Sequence, residues 1–139
     1  MTASPPKLFD ARQVQMHRDR AAQSYADYDF LKRRESSRLI ERLEDVSREF
    51  ARALDFGGHD GTAAELLAGH RQVGSVEVAE SSPAMRALAE MKGLKARPIE
   101  GDDLGLPGAE YDLVTSILTL HWVNDLPGAL VQIRQALKP

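Results

Sequence analysis

No cysteine occurs anywhere in the chain, which excludes a disulfide framework, a thiolate metal centre and a cysteine nucleophile. That absence fits a reducing compartment, and the expectation is a bacterial cytoplasmic protein, or a mitochondrial matrix protein if the source is eukaryotic. Long apolar runs are missing as well. Nothing approaches the roughly 18 to 20 apolar residues of a membrane span, and Met1 to Asp10 carries neither an apolar signal core nor an Arg-rich presequence. There is no excess of positive charge: the net charge is -3 and the pI is near 5.8, so no nucleic-acid partner is expected. Repeats and low-complexity tracts are also absent. What remains is 139 residues, 42% hydrophobic and 28% charged, enough to bury one core.

The chain changes texture near residue 52. Gln13 to Ala51 is rich in Arg, Glu and Ala, with Leu39, Ile40, Leu43 and Val46 spaced for one helical face behind a possible cap at Ser36. Residues 1–51 therefore read as an N-terminal helical segment and 52–139 as a separate α/β unit. In that unit, Arg52 to Phe56 predicts a strand, Gly57 to Gly61 a tight turn, and Thr62 to Leu67 a helix. Val73 to Ala79 predicts the second strand, and Ser81-Ser82-Pro83 caps a helix running through Met91. A third strand lies within Leu94 to Ile99, a polar turn over Gly101 to Pro107, and a fourth strand over Tyr111 to Leu118. Asn124 or Asp125 then caps a helix to about Leu137. Strands alternating with helices imply a parallel sheet covered on both faces.

In an open parallel sheet, ligands bind beyond the carboxyl ends of the strands, so the residues just past each strand carry the functional information. Past the first stand Asp55, Gly57, Gly58 and Gly61, where glycines let backbone amides approach a ligand. Past the second stand Glu80, an acid suited to a ribose diol, and Ser81. Past the third come Asp102 and Asp103, able to accept from an adenine amino group. Past the fourth come Ser116 to Trp122, where a methyl acceptor would sit. A dinucleotide site would want G-x-G-x-x-G and no acid before it; Asp55 would repel a pyrophosphate but suits a ligand carrying an ammonium and a sulfonium.

The strings ALDFGGHDG, EVAESSPAM, IEGDDLGLP, EYDLVTSILTLHWVNDLPGAL and IRQALKP resemble successive motifs of class I S-adenosylmethionine-dependent methyltransferases over Ala53 to Pro139. With LFDARQVQMHRDRAA and YDFLKRRESSRLIERL, the chain is similar to bacterial relatives of mitochondrial complex I assembly factor 5, and also to the malonyl-acyl-carrier-protein methyltransferases of biotin synthesis. The resemblance implies a Rossmann-like fold with strand order 3-2-1-4, incomplete at its C-terminal side, and S-adenosylmethionine as cofactor. It implies that Asp55 and Gly57 hold the methionine moiety, Gly58 lies in the same turn, and Gly61 opens the helix. Glu80 with Ser81 would grip the ribose, Asp102 and Asp103 would face the adenine, and Ser116 to His121 would line the far side. One position departs from the family pattern: His59 stands where glycine is usual, which would crowd the cofactor and, if left-handed, cost roughly 1 to 2 kcal/mol.

The resemblance implies a methyltransferase of unknown acceptor. The alternative is an assembly-factor-like protein acting on a partner, such as a subunit resembling those of respiratory complex I, by binding alone or by the arginine hydroxylation attributed to the mitochondrial member. His121 is the candidate general base, although His121 and Trp122 read more readily as loop packing after the fourth strand. His59 has no partner ligands at useful spacing, so no metal is expected. Arg12, Arg18, Arg20, Lys32, Arg33 and Arg34 read as a solvated face or a contact for an acidic partner. With the family's order, the fourth strand would be an exposed edge open to self-association.

Overall fold

The computed structural model describes residues 6–139. Its elements are α1 (Ala11–Ala22), α2 (Tyr25–Tyr28), α3 (Phe30–Glu44), β1 (Phe50–Phe56), α4 (Thr62–Ala68), β2 (Val73–Ala79), α5 (Pro83–Met91), β3 (Lys95–Arg97), β4 (Leu113–Thr115) and α6 (Leu126–Ala136), with a 3-10 turn at Leu120–Trp122. The four strands form a parallel sheet in the order β3-β2-β1-β4. This is the Rossmann-like arrangement expected from the sequence. Residues 1–5 of the N-terminal segment lie outside the described residues.

Side chains alternate across the strands and bury both faces. Leu54 and Phe56 of β1 pack with Ala79, Leu104, Tyr111, Ala129 and Ala136, beneath α6. Ala53 and Phe50 join Leu43, Leu67 and Val73, where Leu39 and Ile40 of α3 also pack. Val78 meets Ala64 and Ala89 of α4 and α5. A strand covered on both faces needs apolar residues at successive positions, which is why the end of β1 has no polar alternation except Asp55, itself fully buried.

Several sequence-derived boundaries need correction. Ser36 is not a cap: α3 starts at Phe30, and Ser36 lies buried inside it, its hydroxyl donating to the Lys32 carbonyl at 2.6 Å. A serine can satisfy itself this way in mid-helix, so its cap propensity misleads. Val46 lies beyond the end of α3 and is exposed. β1 starts at Phe50, inside the stretch read as helical. The fourth strand is three residues long, not eight: Tyr111 makes only an isolated parallel bridge to Leu137. Past Thr115 the chain leaves the sheet, reaching a left-handed φ of 56° at Leu118.

Tyr111 anchors the α6 face. Buried to 1% exposure, its hydroxyl donates to Glu77 at 3.0 Å, and Arg97 and Arg52 lie 3.7 Å from the same carboxylate. On the other face, Gly61 allows α4 to start against α5. Its φ is +85°, and a Cβ there would fall 2.5 Å from a Leu94 methyl and 3.2 Å from the Ala89 Cβ. Asp60, just before that N-cap glycine, accepts from the Thr62 amide and hydroxyl at 3.1 and 2.6 Å. Gly61→Ala therefore combines a left-handed penalty with overpacking, and a loss of about 2 kcal/mol or more is expected in urea unfolding. A loss below about 0.5 kcal/mol would show that the α4–α5 contact yields without cost.

Candidate functional site

The β1–β2 register sets Phe56 beside Ala79, so the residues following both strands emerge at one edge of the sheet. There the amides of Gly57 and Gly58 both donate to the Ala79 carbonyl, at 2.7 and 3.3 Å, folding the turn back over β2. Gly57 has φ +69°, and a Cβ on it would overlap the Thr119 side chain, whose hydroxyl donates to the Gly57 carbonyl at 2.9 Å. A Cβ on Gly58 would lie 2.8 Å from Asp55 Oδ2. The turn is thus a cradle open only to glycine at these positions. His59 is left-handed, φ 54°, and its ring stacks on Tyr25 at 5.7 Å with a 9° interplanar angle. Burial pushes its imidazole from the usual 6.5 down to about 2, helped by the Lys32 and Arg18 charges.

Glu80 is fully buried and saturated with donors. Oε1 accepts from Arg18 Nη1 at 2.7 Å and from the His59 amide at 3.0 Å. Oε2 accepts from the Ser82 amide at 2.8 Å and the Ser81 hydroxyl at 3.3 Å. Asp55, also fully buried, accepts from the Thr115 hydroxyl at Oδ1 (3.0 Å), while its Oδ2 has no partner among the described residues. Burial raises the Asp55 pKa, opposed chiefly by the Lys32 ammonium. Lys32, 3% exposed, donates to the Ile117 carbonyl at 2.9 Å, and burial depresses its own pKa against the pull of Asp55.

A cavity of about 660 Å³ opens beside this turn, lined by Phe56, Gly57, Ser81, Asp102, Leu104 and Thr119 from the sheet side and by Arg12, Val14 and Arg18 from α1. The N-terminal segment crosses it like a strap. At one end Asn124 exchanges two hydrogen bonds with the Phe9 backbone, both 2.8 Å, and Phe9 meets Trp122 edge-on. At the other, Asp19 accepts from the Ser82 hydroxyl and from the Ala84 amide, the latter at 3.2 Å.

The structure brings Asp55, Gly57, Gly58, Glu80 and Ser81 together, with Gly61 just behind them at the start of α4. Asp102 lines the cavity. Asp103 instead accepts from the Gly105 amide of its own turn at 3.0 Å. Ser116 ties the end of β4 to Phe56, donating to its carbonyl at 2.9 Å, and faces α3 across a smaller groove. His121 is exposed, leans on Trp122 at 5.1 Å and does not line the cavity. Nor does His59, whose ring is turned to Tyr25. Among the described residues no cluster of side chains could hold a metal ion, and no helix is long and apolar enough to cross a membrane.

Sequence reasoning missed the inward roles of Arg18, Tyr25 and Lys32, whereas Thr119 falls within the expected Ser116 to His121 wall and lines the cavity. The basic run is not one solvated face: Arg18 and Lys32 turn inward, their side chains held by Glu80 and the Ile117 carbonyl. Arg18 and Glu80 stand 62 positions apart, and no local pattern pairs them. No local pattern marks Lys32 either, since Phe30 and Leu31 before it are both exposed.

Comparison with known proteins agrees with this fold. A family model described as a methyltransferase domain matches residues 15–139. The mitochondrial arginine-hydroxylase NDUFAF5 of Danio rerio is 36% identical over 138 residues, covering 95% of this chain and 42% of that protein. The malonyl-[acyl-carrier protein] O-methyltransferase of Halorhodospira halophila is 30% identical over 144 residues, covering all of this chain and 49% of the relative. A solved S-adenosylmethionine-dependent methyltransferase of Thermotoga maritima superimposes with a TM-score of 0.68 at 20% identity, covering 86% of this chain and 55% of that one, and so supports the fold. The chain spans just under half the length of the two curated relatives.

The depressed His59 pKa carries a signed consequence. Keeping the ring neutral stabilises the fold fully above the unfolded pKa of 6.5, and that stability is lost as pH falls from 6.5 towards about 2. Between about pH 7.5 and 5.5, the group should remove about 1 kcal/mol of unfolding free energy. His59→Asn, which tolerates a left-handed backbone, should lack that increment in urea titrations at the two pH values. Equal pH dependence in both proteins would show that His59 titrates normally.

Proposed function

The chain belongs to the family of methyltransferase domains, and from that premise we infer that its strapped cavity binds S-adenosylmethionine and that the protein transfers the cofactor's methyl group to an acceptor. The observation that carries this reading is the Asp55 carboxylate, buried with Oδ2 unpartnered among the described residues, behind a turn whose Gly57 has no room for a Cβ because Thr119 already stands against it. An orphaned buried carboxylate oxygen is costly, and an ammonium group repays that cost directly. Asp55 and the Gly57 turn would hold the methionine end, with Lys32 as nearby counter-charge. Glu80 and Ser81 would meet the ribose hydroxyls, and Asp102, which with Ser81 lines the cavity, would face the adenine. When bound, S-adenosylmethionine supplies an electrophilic methyl group on a sulfonium. The chain's own part is to fix its three ends and, through the strap and Phe56, Leu104 and Thr119, to keep water from the reacting centre.

A second reading is favoured by the 36% identity to a protein named as an arginine hydroxylase, over nearly the whole of this chain. On that reading the same cavity serves a protein partner, resembling a respiratory complex I subunit, and transfers no methyl group. The mass of a partner protein after incubation with the protein and cofactor separates the two: a gain of one methylene supports transfer, and a gain of one oxygen supports hydroxylation.

Cofactor binding is tested at Asp102, which is exposed and whose side chain holds no structural hydrogen bond among the described residues. Asp102→Ala should weaken S-adenosylhomocysteine binding in calorimetry by about tenfold, the worth of one hydrogen bond to a charged acceptor, with the melting temperature unchanged. Absence of binding by the unaltered chain would overturn the reading.

A further inference from the structure

Resting on that reading of the cavity, the geometry points to Arg18 as a specificity-determining latch: its guanidinium occupies the place on Glu80 that a ribose diol must take, so a ligand is admitted only by exchanging its hydroxyls for Arg18. An ionised carboxylate has about four acceptor positions, and all of Glu80's are filled. The His59 and Ser82 amides are backbone donors fixed by the glycine turn and the start of α5. The two that can leave are side chains: Arg18 on Oε1 at 2.7 Å and the Ser81 hydroxyl on Oε2 at 3.3 Å. One lies on each oxygen, which is the pattern two vicinal hydroxyls would replace.

Arg18 is the stronger of the pair, being charge-assisted and with a side chain only 11% exposed. It also comes from α1 rather than from the site's own loops. The strap does not depend on it for its position. Asp19, the next residue, is held by Ser82 and Ala84, and Phe9 is held by Asn124. The Arg18 side chain can therefore swing into the cavity it already lines while α1 stays in place. An adenosyl ligand lacking the diol has nothing to offer Glu80 in exchange, so the latch selects for intact ribose.

The test is the sign of a change in affinity. Arg18→Met keeps the apolar stem and removes the competing donor. It should bind S-adenosylhomocysteine about tenfold more tightly than the unaltered chain, while its ligand-free melting temperature falls because Glu80 is left buried without a counter-charge. A merely structural Arg18 would lower stability and affinity together, and a cofactor-contacting Arg18 would lower affinity alone; either result overturns the latch. Should Arg18→Met not fold, Arg18→Lys keeps the charge but offers a weaker, single-point contact, and about threefold tighter binding is expected; equal or weaker binding overturns the proposal. Binding by Arg18→Met where the unaltered chain shows none supports the latch. No binding by the unaltered chain or by either variant removes the cofactor reading and the latch with it, whereas binding by the unaltered chain without a gain in the variants removes the latch alone.

Discussion

The buried carboxylate of Glu80 is the constraint on which the functional face depends. A charge taken out of water costs several kcal/mol unless every acceptor position is met, and at Glu80 the four partners come from three separate parts of the chain. The glycine turn supplies the His59 amide, the loop from β2 to the entry of α5 supplies Ser81 and Ser82, and α1 supplies Arg18. One side chain thereby fixes where the turn ends, where α5 begins and where the N-terminal segment crosses the sheet.

The same constraint accounts for the tolerance of His59 at a position where its left-handed backbone is unfavourable. Its amide is one of the two donors to Glu80 Oε1, in a turn where its own φ is 54°. Glycine would adopt the conformation freely; histidine bears the strain but adds a stack with Tyr25 that closes the gap between turn and strap. Its ring lies away from the cavity, so the substitution tightens the wall of the site without filling it.

Much of the sheet was legible in the sequence because its signals are local. An apolar strand followed by glycines, a serine-proline helix start after Glu80, and a fourth apolar run each announce themselves within about ten residues. The order β3-β2-β1-β4 followed from the family resemblance and matches the structure. The length of the fourth strand was not legible, since an apolar run reads alike whether it pairs or turns away: Ile117 stays buried after the chain has left the sheet, its carbonyl taken by Lys32. The strap was read only as helix, and its inward side was missed. Whether Arg18 and Lys32 face solvent or the sheet depends on how α1 and α3 dock, which hydrophobic spacing of weakly amphipathic, Arg-rich helices does not decide. Asp103 shows the converse: its motif position suggested a ligand contact, yet a turn residue with a free amide two positions ahead satisfies itself locally.

The charges left unmatched describe the ligand the site suits. Asp55 and Lys32 are both buried and influence one another, yet Lys32 donates to the Ile117 carbonyl and Asp55 Oδ2 stays without a donor. A simple structural ion pair would close that gap, because each group's burial penalty falls as they approach. Asp55 Oδ2 therefore remains an acceptor beside the Gly58 turn, the feature that an ammonium group would answer on the proposed reading. Neutral hydroxyls would then suffice at Glu80, where the counter-charge Arg18 gives up is replaced in part by a cationic centre on the ligand itself. Fold, turn and charge thus converge on the cofactor. Beside Trp122 and His121, among the described residues, no buried side-chain atom stands unpartnered as Asp55 Oδ2 does.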